Sequence, residues 1–107
     1  MKLCLNPEIC SGIIGIFNKR SGEAYDFDSH EFISALKLCH PKEYYKGLLN
    51  YISDSNLDIE NAFQQMHSEI GRYLSLNSEN LHIRSVGKHS SPNYKDADTM
   101  NEMWKKI

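Results

Sequence analysis

From Ile59 onward, apolar residues return at the spacing of a helix: Ile59, Ala62, Phe63, Met66, Ile70, Tyr73 and Leu74 share one face at 3.6 residues per turn. Asp54, Ser55 and Asn56 supply a break and a cap before this run, and Asn77 to Asn80 a turn cluster after it. The pattern predicts a helix over Leu57 to about Ser75. Such an amphipathic helix must bury its stripe against other elements, and the remaining segments are read for what could cover it.

Two helices are expected ahead of it. Asp28 can accept backbone N–H groups while Glu31 reaches back, a capping box that opens a helix carrying Phe32, Ala35, Leu36 and Cys39 on its apolar side. Pro41 ends that helix and suits the first position of the next, where its missing N–H loses nothing; Tyr45, Leu48, Leu49 and Ile52 then form the apolar stripe. The first 28 residues read as β structure: Lys2 to Leu5 as an edge strand, then Gly12 to Phe17 and Glu23 to Phe27 joined through Asn18 to Gly22 as a hairpin. Leu81, Ile83 and Ser85 alternate as a late strand, residues 87–95 read as loop, and Asp96 or Asp98 caps a final helix bearing Met100, Met103, Trp104 and Ile107. The expectation is an α+β fold: N-terminal β-hairpin, three central helices, one late strand and a C-terminal helix.

The chain has 107 residues, which suits a single domain over 1–107. Its mass of 12.3 kDa gives roughly 6,100 Å² of exposed surface when folded against roughly 17,800 Å² unfolded, enough burial for a core without disulfides or a metal. No apolar run approaches the roughly 18 residues of a membrane helix, and a net charge of −2 disfavours direct nucleic-acid binding. Ile9 to Phe17 is short and apolar but lacks the flanks of a signal peptide, and three loosely spaced cysteines do not form a secreted disulfide framework; both favour the cytoplasm.

Few residue sets suggest chemistry. Cys4, Cys10, Cys39 and His40 lack the paired two-to-four spacing of a zinc site, and Cys39 with His40 or His30 as a nucleophile is disfavoured by the thiol's place on an apolar face. Gly12, Gly15 and Gly22 do not make a phosphate loop, and no cofactor is expected. His82 and His89, with Arg84, Lys88 and Lys95 nearby, could serve a metal-independent ribonuclease or toxin domain as base and acid, an alternative function.

Charge distribution says more. Between Lys46 and Arg72 the chain has no Lys or Arg, while Asp54, Asp58, Glu60 and Glu69 give those 25 residues a net charge of −4. With Ile59 at the centre of the buried stripe, Asp58 and Glu69 fall on one flank and Glu60, Gln64 and His67 on the other. Glu23, Asp26, Asp28 and Glu31 form a second acidic group at the start of the first central helix. Six tyrosines, more than the apolar stripes need, add amphipathic contact area, with Tyr44 and Tyr51 off the centre of their helix's stripe. The expected function is a small protein-binding inhibitor, concretely an immunity-type protein neutralising a basic partner such as a nuclease toxin. Asp26, Asp28, Glu31, Asp54, Asp58, Glu60 and Glu69 are the expected partner-binding residues. A structural adaptor subunit is the remaining alternative.

Overall fold

In the computed structural model, which describes residues 2–20 and 22–107, the elements run α1 (Pro7–Ile14), β1 (Phe27–Asp28), α2 (Ser29–Cys39), α3 (Pro41–Ser55), α4 (Ile59–Leu76), β2 (Ile83–Pro92) and β3 (Asp98–Lys106). The class is α+β. The strands form one antiparallel sheet in the order β1-β3-β2, and among the described residues no helix is long and apolar enough to cross a membrane.

Capping chemistry sets the central helices where the sequence places them. The Glu31 amide donates to Asp28 Oδ1 at 2.8 Å and the Asp28 amide to Glu31 Oε1 at 3.1 Å, closing the capping box of α2. Pro41 is the first residue of α3, and Asn56 in the left-handed region (φ 52°) ends it. The cap of α4 is Asp58, not the Asp54–Asn56 group, with its side chain accepting from the Asn61 amide at 2.8 Å.

The faces of three helices differ from expectation. α3 buries Tyr44, Gly47, Leu48 and Tyr51, and leaves Tyr45 and Leu49 exposed, so the stripe is rotated by about one residue. Gly47 fits this rotation: a Cβ there would lie 2.6 Å from Leu3 Cδ1 and 3.2 Å from Leu3 Cα, so glycine lets the N-terminal segment seat closely against this side. On α4 the buried line is Ala62, Met66, Ile70 and Leu74, while Ile59 is 60% exposed at the first helical position. Cys39, expected on the apolar face of α2, is exposed; Phe32 and Leu36 are buried there as expected, with Ile33 beside them.

The chain's two ends are corrected. The expected strands Lys2–Leu5 and Gly12–Phe17 are absent, and the apolar run forms α1 instead. Asn6 Oδ1 accepts from the Ile9 amide at 2.8 Å and Pro7 occupies the first turn, so a capped start overrides the β preference of the isoleucines. Cys10, Ile13 and Ile14 are buried along it. The third expected strand shrinks to β1, which pairs with β3 (Phe27 opposite Trp104, Asp28 opposite Met103) rather than with residues 12–17. Phe17 still stacks on Phe27, centroids 4.9 Å apart, without a ladder. Of the expected hairpin loop, Ser21 lies outside the described residues.

The late strand is longer than expected, and the final helix is a strand. Asn93 Oδ1 accepts from the amides of Lys95 and Ala97, and the Asn93 amide donates to the Ala97 carbonyl at 2.9 Å, with Asp96 left-handed at φ 59°. This closes a five-residue loop that turns the expected loop and helix into the β2–β3 hairpin. Trp104 faces inward opposite Phe27 and donates its indole N–H to Ser29 Oγ at 3.0 Å, whereas Met100 and Ile107 are exposed. The register shifts between Ser85 and Lys88, where Gly87 has φ 119°; this bulge bends β2.

Candidate functional site

The bent hairpin leaves the sheet and reaches α4 with its tip. Tyr94 stacks on Phe63 (centroids 4.8 Å, 25° between planes) and meets the His67 ring edge-on at 5.1 Å. Lys95 pairs with Glu60, which also accepts from Tyr94 Oη at 3.4 Å. Between this bridge and the base of the sheet lies a groove of about 640 Å³. One wall is the polar, small-residue side of α4: Gln64, His67, Ser68, Gly71, Arg72 and Ser75. The other wall is the hairpin, with Lys88, Met100 and Glu102, and the floor is the start of α2 with Ser29, His30 and Ile33.

Hydrogen bonds fix the floor. Asn101, buried on β3, accepts from the His30 amide at 3.0 Å and donates to Ser91 Oγ at 2.9 Å. Asp28 Oδ2, on a carboxylate that is itself buried, sits 2.8 Å from His89 Nε2, with Tyr25 edge-on against that imidazole. These contacts join β2 to the start of α2 across β3 and fix the groove's base.

His67 is tuned by its place. Burial, aided by His30 and Lys37, pushes its pKa down to about 4, so the ring is neutral near pH 7. Burial also raises the Tyr44 phenol, which therefore stays protonated. Tyr44 Oη lies 2.7 Å from His67 Nε2, and its buried O–H is satisfied by donating there, which places the imidazole proton on Nδ1.

The groove's formal charges are uneven. Arg72, Lys88 and Lys95 line it against one carboxylate, Glu102, which accepts from Ser85 Oγ at 2.8 Å. Lys95 is paired with Glu60, but Arg72 and Lys88 have no carboxylate within 4.0 Å among the described residues. A concave site with excess positive charge draws anionic groups.

The seven acids expected to bind a partner do not form one surface. Asp26 is wholly buried and accepts from the amides of Arg20 (2.7 Å) and Lys106 (2.8 Å), so its expected exposure is corrected. Asp28 is corrected likewise, being 2% exposed with its oxygens turned to the α2 cap and His89. Glu31 completes that cap and pairs with Arg20 at 2.6 Å. Asp58 caps α4, Glu60 holds the hairpin tip, and Glu69 is half-buried with Oε2 lacking a hydrogen-bond partner among the described residues. Asp54 is exposed and lies 3.9 Å from Lys2 Nζ.

The nuclease pair is not assembled. Seven residues of extended chain separate His82 from His89, about 23 Å at strand rise, and the carboxylate of Asp28 occupies His89. His30 Nδ1 lies 3.0 Å from Ser91 Oγ, but it faces the Ser91 carbonyl equally closely, at 3.1 Å, and its Nε2 meets Thr99 Oγ1 rather than an orienting carboxylate. Among the described residues no three His, Cys, Asp or Glu side chains are placed to share a metal ion. Cys10 is buried with its thiol pushed up to about 11 by burial, while Cys4 is exposed.

Sequence reasoning named Gln64, His67, Lys88 and Lys95 separately, but it did not bring them together as one groove and passed over Ser68, Gly71, Arg72 and Ser75. The available signal was the i, i+3, i+4 recurrence of Gln64, His67, Ser68, Gly71 and Ser75, a helix face of small polar groups without the acids and lysines of an ordinary solvated face. Comparison with known proteins adds nothing to this geometry: no family model, curated protein or solved structure matches the chain.

Proposed function

We propose that the protein is a protein-binding module of inhibitor type whose groove between α4 and the β2–β3 hairpin takes an extended, acidic segment of its partner. The pair Arg72 and Lys88 carries this reading, two cations on opposing walls without a carboxylate partner among the described residues. Gln64 to Ser75 is about 17 Å of helix, room for about five residues of extended chain. Ser68, Ser75 and Asn93 offer hydrogen bonds along that path, and nothing beyond the neighbouring turn of its own helix lies within 4 Å of where a Gly71 Cβ would stand, so a backbone can approach there.

Selection from a random peptide library, with amide shifts followed by NMR, tests this reading. The expected result is enrichment of segments rich in Asp and Glu, shifts at Ser68, Gly71, Ser75 and Lys88, and at least about tenfold weaker binding by Arg72→Glu or Lys88→Glu. Selected peptides without acids, or shifts confined to other faces, refute it. A second reading, an immunity-type inhibitor meeting a basic partner, is supported by Asp54 and Asp58, both exposed and close in sequence where α3 passes into α4. Asp54→Lys separates the two: it would abolish binding of a basic partner and leave acidic peptides in the groove unaffected.

A further inference from the structure

The groove follows a lane that β1 vacates. β1 ends at Asp28, opposite Met103, and the chain turns into α2, so from Glu102 back to Asp98 that side of β3 has no ladder partner. Backbone bonds at both ends fix the alternation of β3. The Ala97 carbonyl accepts from the Asn93 amide and the Ile107 amide donates to the His82 carbonyl, so odd-numbered residues turn to β2. Even-numbered residues turn to the lane, since the Trp104 carbonyl accepts from the Asp26 amide and the Lys106 amide donates to Asp26 Oδ2. The bulge sets an extra residue in β2 and leaves the alternation of β3 unbroken. Asp98, Met100 and Glu102 thus aim their amides and carbonyls into the lane, and among the described residues no turn, loop or cap bond reaches the backbone of Met100 or Glu102.

The lining of the groove agrees. Thr99, Met100, Asn101 and Glu102 all border it, whereas β2 contributes Lys88 alone. Side chains of a strand alternate between its faces, so four consecutive residues share one cavity along an edge. We infer that the acidic segment proposed above enters this lane as a fourth strand, antiparallel to β3 and in line with β1, which rests on that reading of the groove. Asp98 to Glu102 is about 13 Å of strand, room for about five residues. Main-chain bonds to an open edge supply affinity of this kind. The sheet's other open edge is guarded: along β2 the bulge at Gly87, Lys88 and the terminal Pro92 discourage pairing, and β3 has none of these devices between Asp98 and Glu102. Antiparallel order continues the pairing already present in the lane.

Charge sets the register. In an antiparallel pair, residues bonded to each other share a face, so a residue bonded to Met100 sends its side chain to the face that Met100 and Lys88 turn to the groove. Asp98 and Glu102 repel an acid placed across from them, which leaves the position opposite Met100, between the two, for the acid. The residues on either side of that acid point their amides away from β3.

The probe is the blocked heptapeptide Asp-Thr-Val-Asp-Val-Thr-Asp, whose central aspartate belongs opposite Met100 and whose valine amides face away. Binding is followed by NMR titration and amide hydrogen exchange. In the free chain the Met100 and Glu102 amides should exchange at least about tenfold faster than those of Thr99 and Asn101, which bond β2, and the peptide should slow them at least about tenfold. N-methylation of the central aspartate's amide should weaken binding at least about tenfold, and N-methylation of either valine amide by less than about threefold. Met100 and Glu102 amides already protected in the free chain, or methylation that costs as much at the valines as at the central aspartate, overturns the added strand; the groove reading survives that result if Arg72→Glu still weakens the parent peptide. A parent peptide that ignores Arg72→Glu, or does not bind, overturns both.

Discussion

Replacing Asp26 by Ala should unfold this protein more readily than almost any other single change of a polar residue. The carboxylate is wholly buried and accepts from the Arg20 amide at 2.7 Å, the Lys106 amide at 2.8 Å and Lys105 Nζ at 3.4 Å. Alanine leaves two part-buried amides without their acceptor, at about 1–2 kcal/mol each, so the expected loss is about 2–4 kcal/mol and a fall in Tm of about 8–16 °C. Asp26→Asn keeps the shape but presents an acceptor on one side only, and should lose about 1–3 kcal/mol. Guanidinium unfolding followed by the single tryptophan is the assay, since the Asp26 amide donates to the Trp104 carbonyl at 2.8 Å. Burial by itself raises the Asp26 carboxyl, but the Lys106 and Arg20 amides and Lys105 outweigh it and hold it below the usual carboxylate range. Its contribution is therefore complete above the unfolded value of about 3.9 and disappears as pH falls through the folded value. An Asp26→Ala variant within about 1 kcal/mol of wild type would refute the reasoning and return Asp26 to the surface.

His67 gives a pH signature of its own. With the folded value near 4 and the unfolded value at 6.5, only the unfolded chain takes up the proton between them, so stability should fall by up to about 3 kcal/mol as pH drops from 6.5 to about 4. In thermal melts across that range His67→Gln, which keeps an acceptor for Tyr44, should lack this slope. The cysteines should react unequally: at pH 8 iodoacetamide should modify exposed Cys4 and Cys39, and reach Cys10, with its thiol near 11, only after denaturant is added, as read by mass spectrometry of the digested protein.

Local chemistry was readable wherever one short segment contains the whole cause. The Asp28–Glu31 capping box and Pro41 needed no tertiary partner, and both mark real helix starts. The two ends were misread because different forces decided them. Ile9 to Phe17 is as apolar as a strand, yet Asn6 and Pro7 fix a helical start. Met100, Met103, Trp104 and Ile107 fit a helical stripe by spacing, but the Asn93 turn commits them to pairing with β2. The rotation of α3 goes with the close seating of Leu3, more than forty residues away from Gly47, which no periodicity reports. The groove was hidden for a related reason: its walls come from α4 and the hairpin, and they face one another only once β2 has bent. Several expected binding acids are helix caps or internal ligands because carboxylates satisfy orphan amides as well as they meet solvent.

The pairing of β1 with β3 has a consequence for synthesis. Phe27 finds its ladder partner in Trp104, Ser29 its indole donor in the same residue, and Asp26 its acceptor bond from Lys106, contacts that span 75 to 80 residues. At roughly 5–20 residues per second, α2 is synthesised about 3–13 s before Trp104 and α4 about 1–6 s before it. During that interval the nascent chain carries a buried-type aspartate and the core side of Phe27 in water. Closure of this side of the core waits for β3, and until then the helices lack the strand that pairs with Phe27.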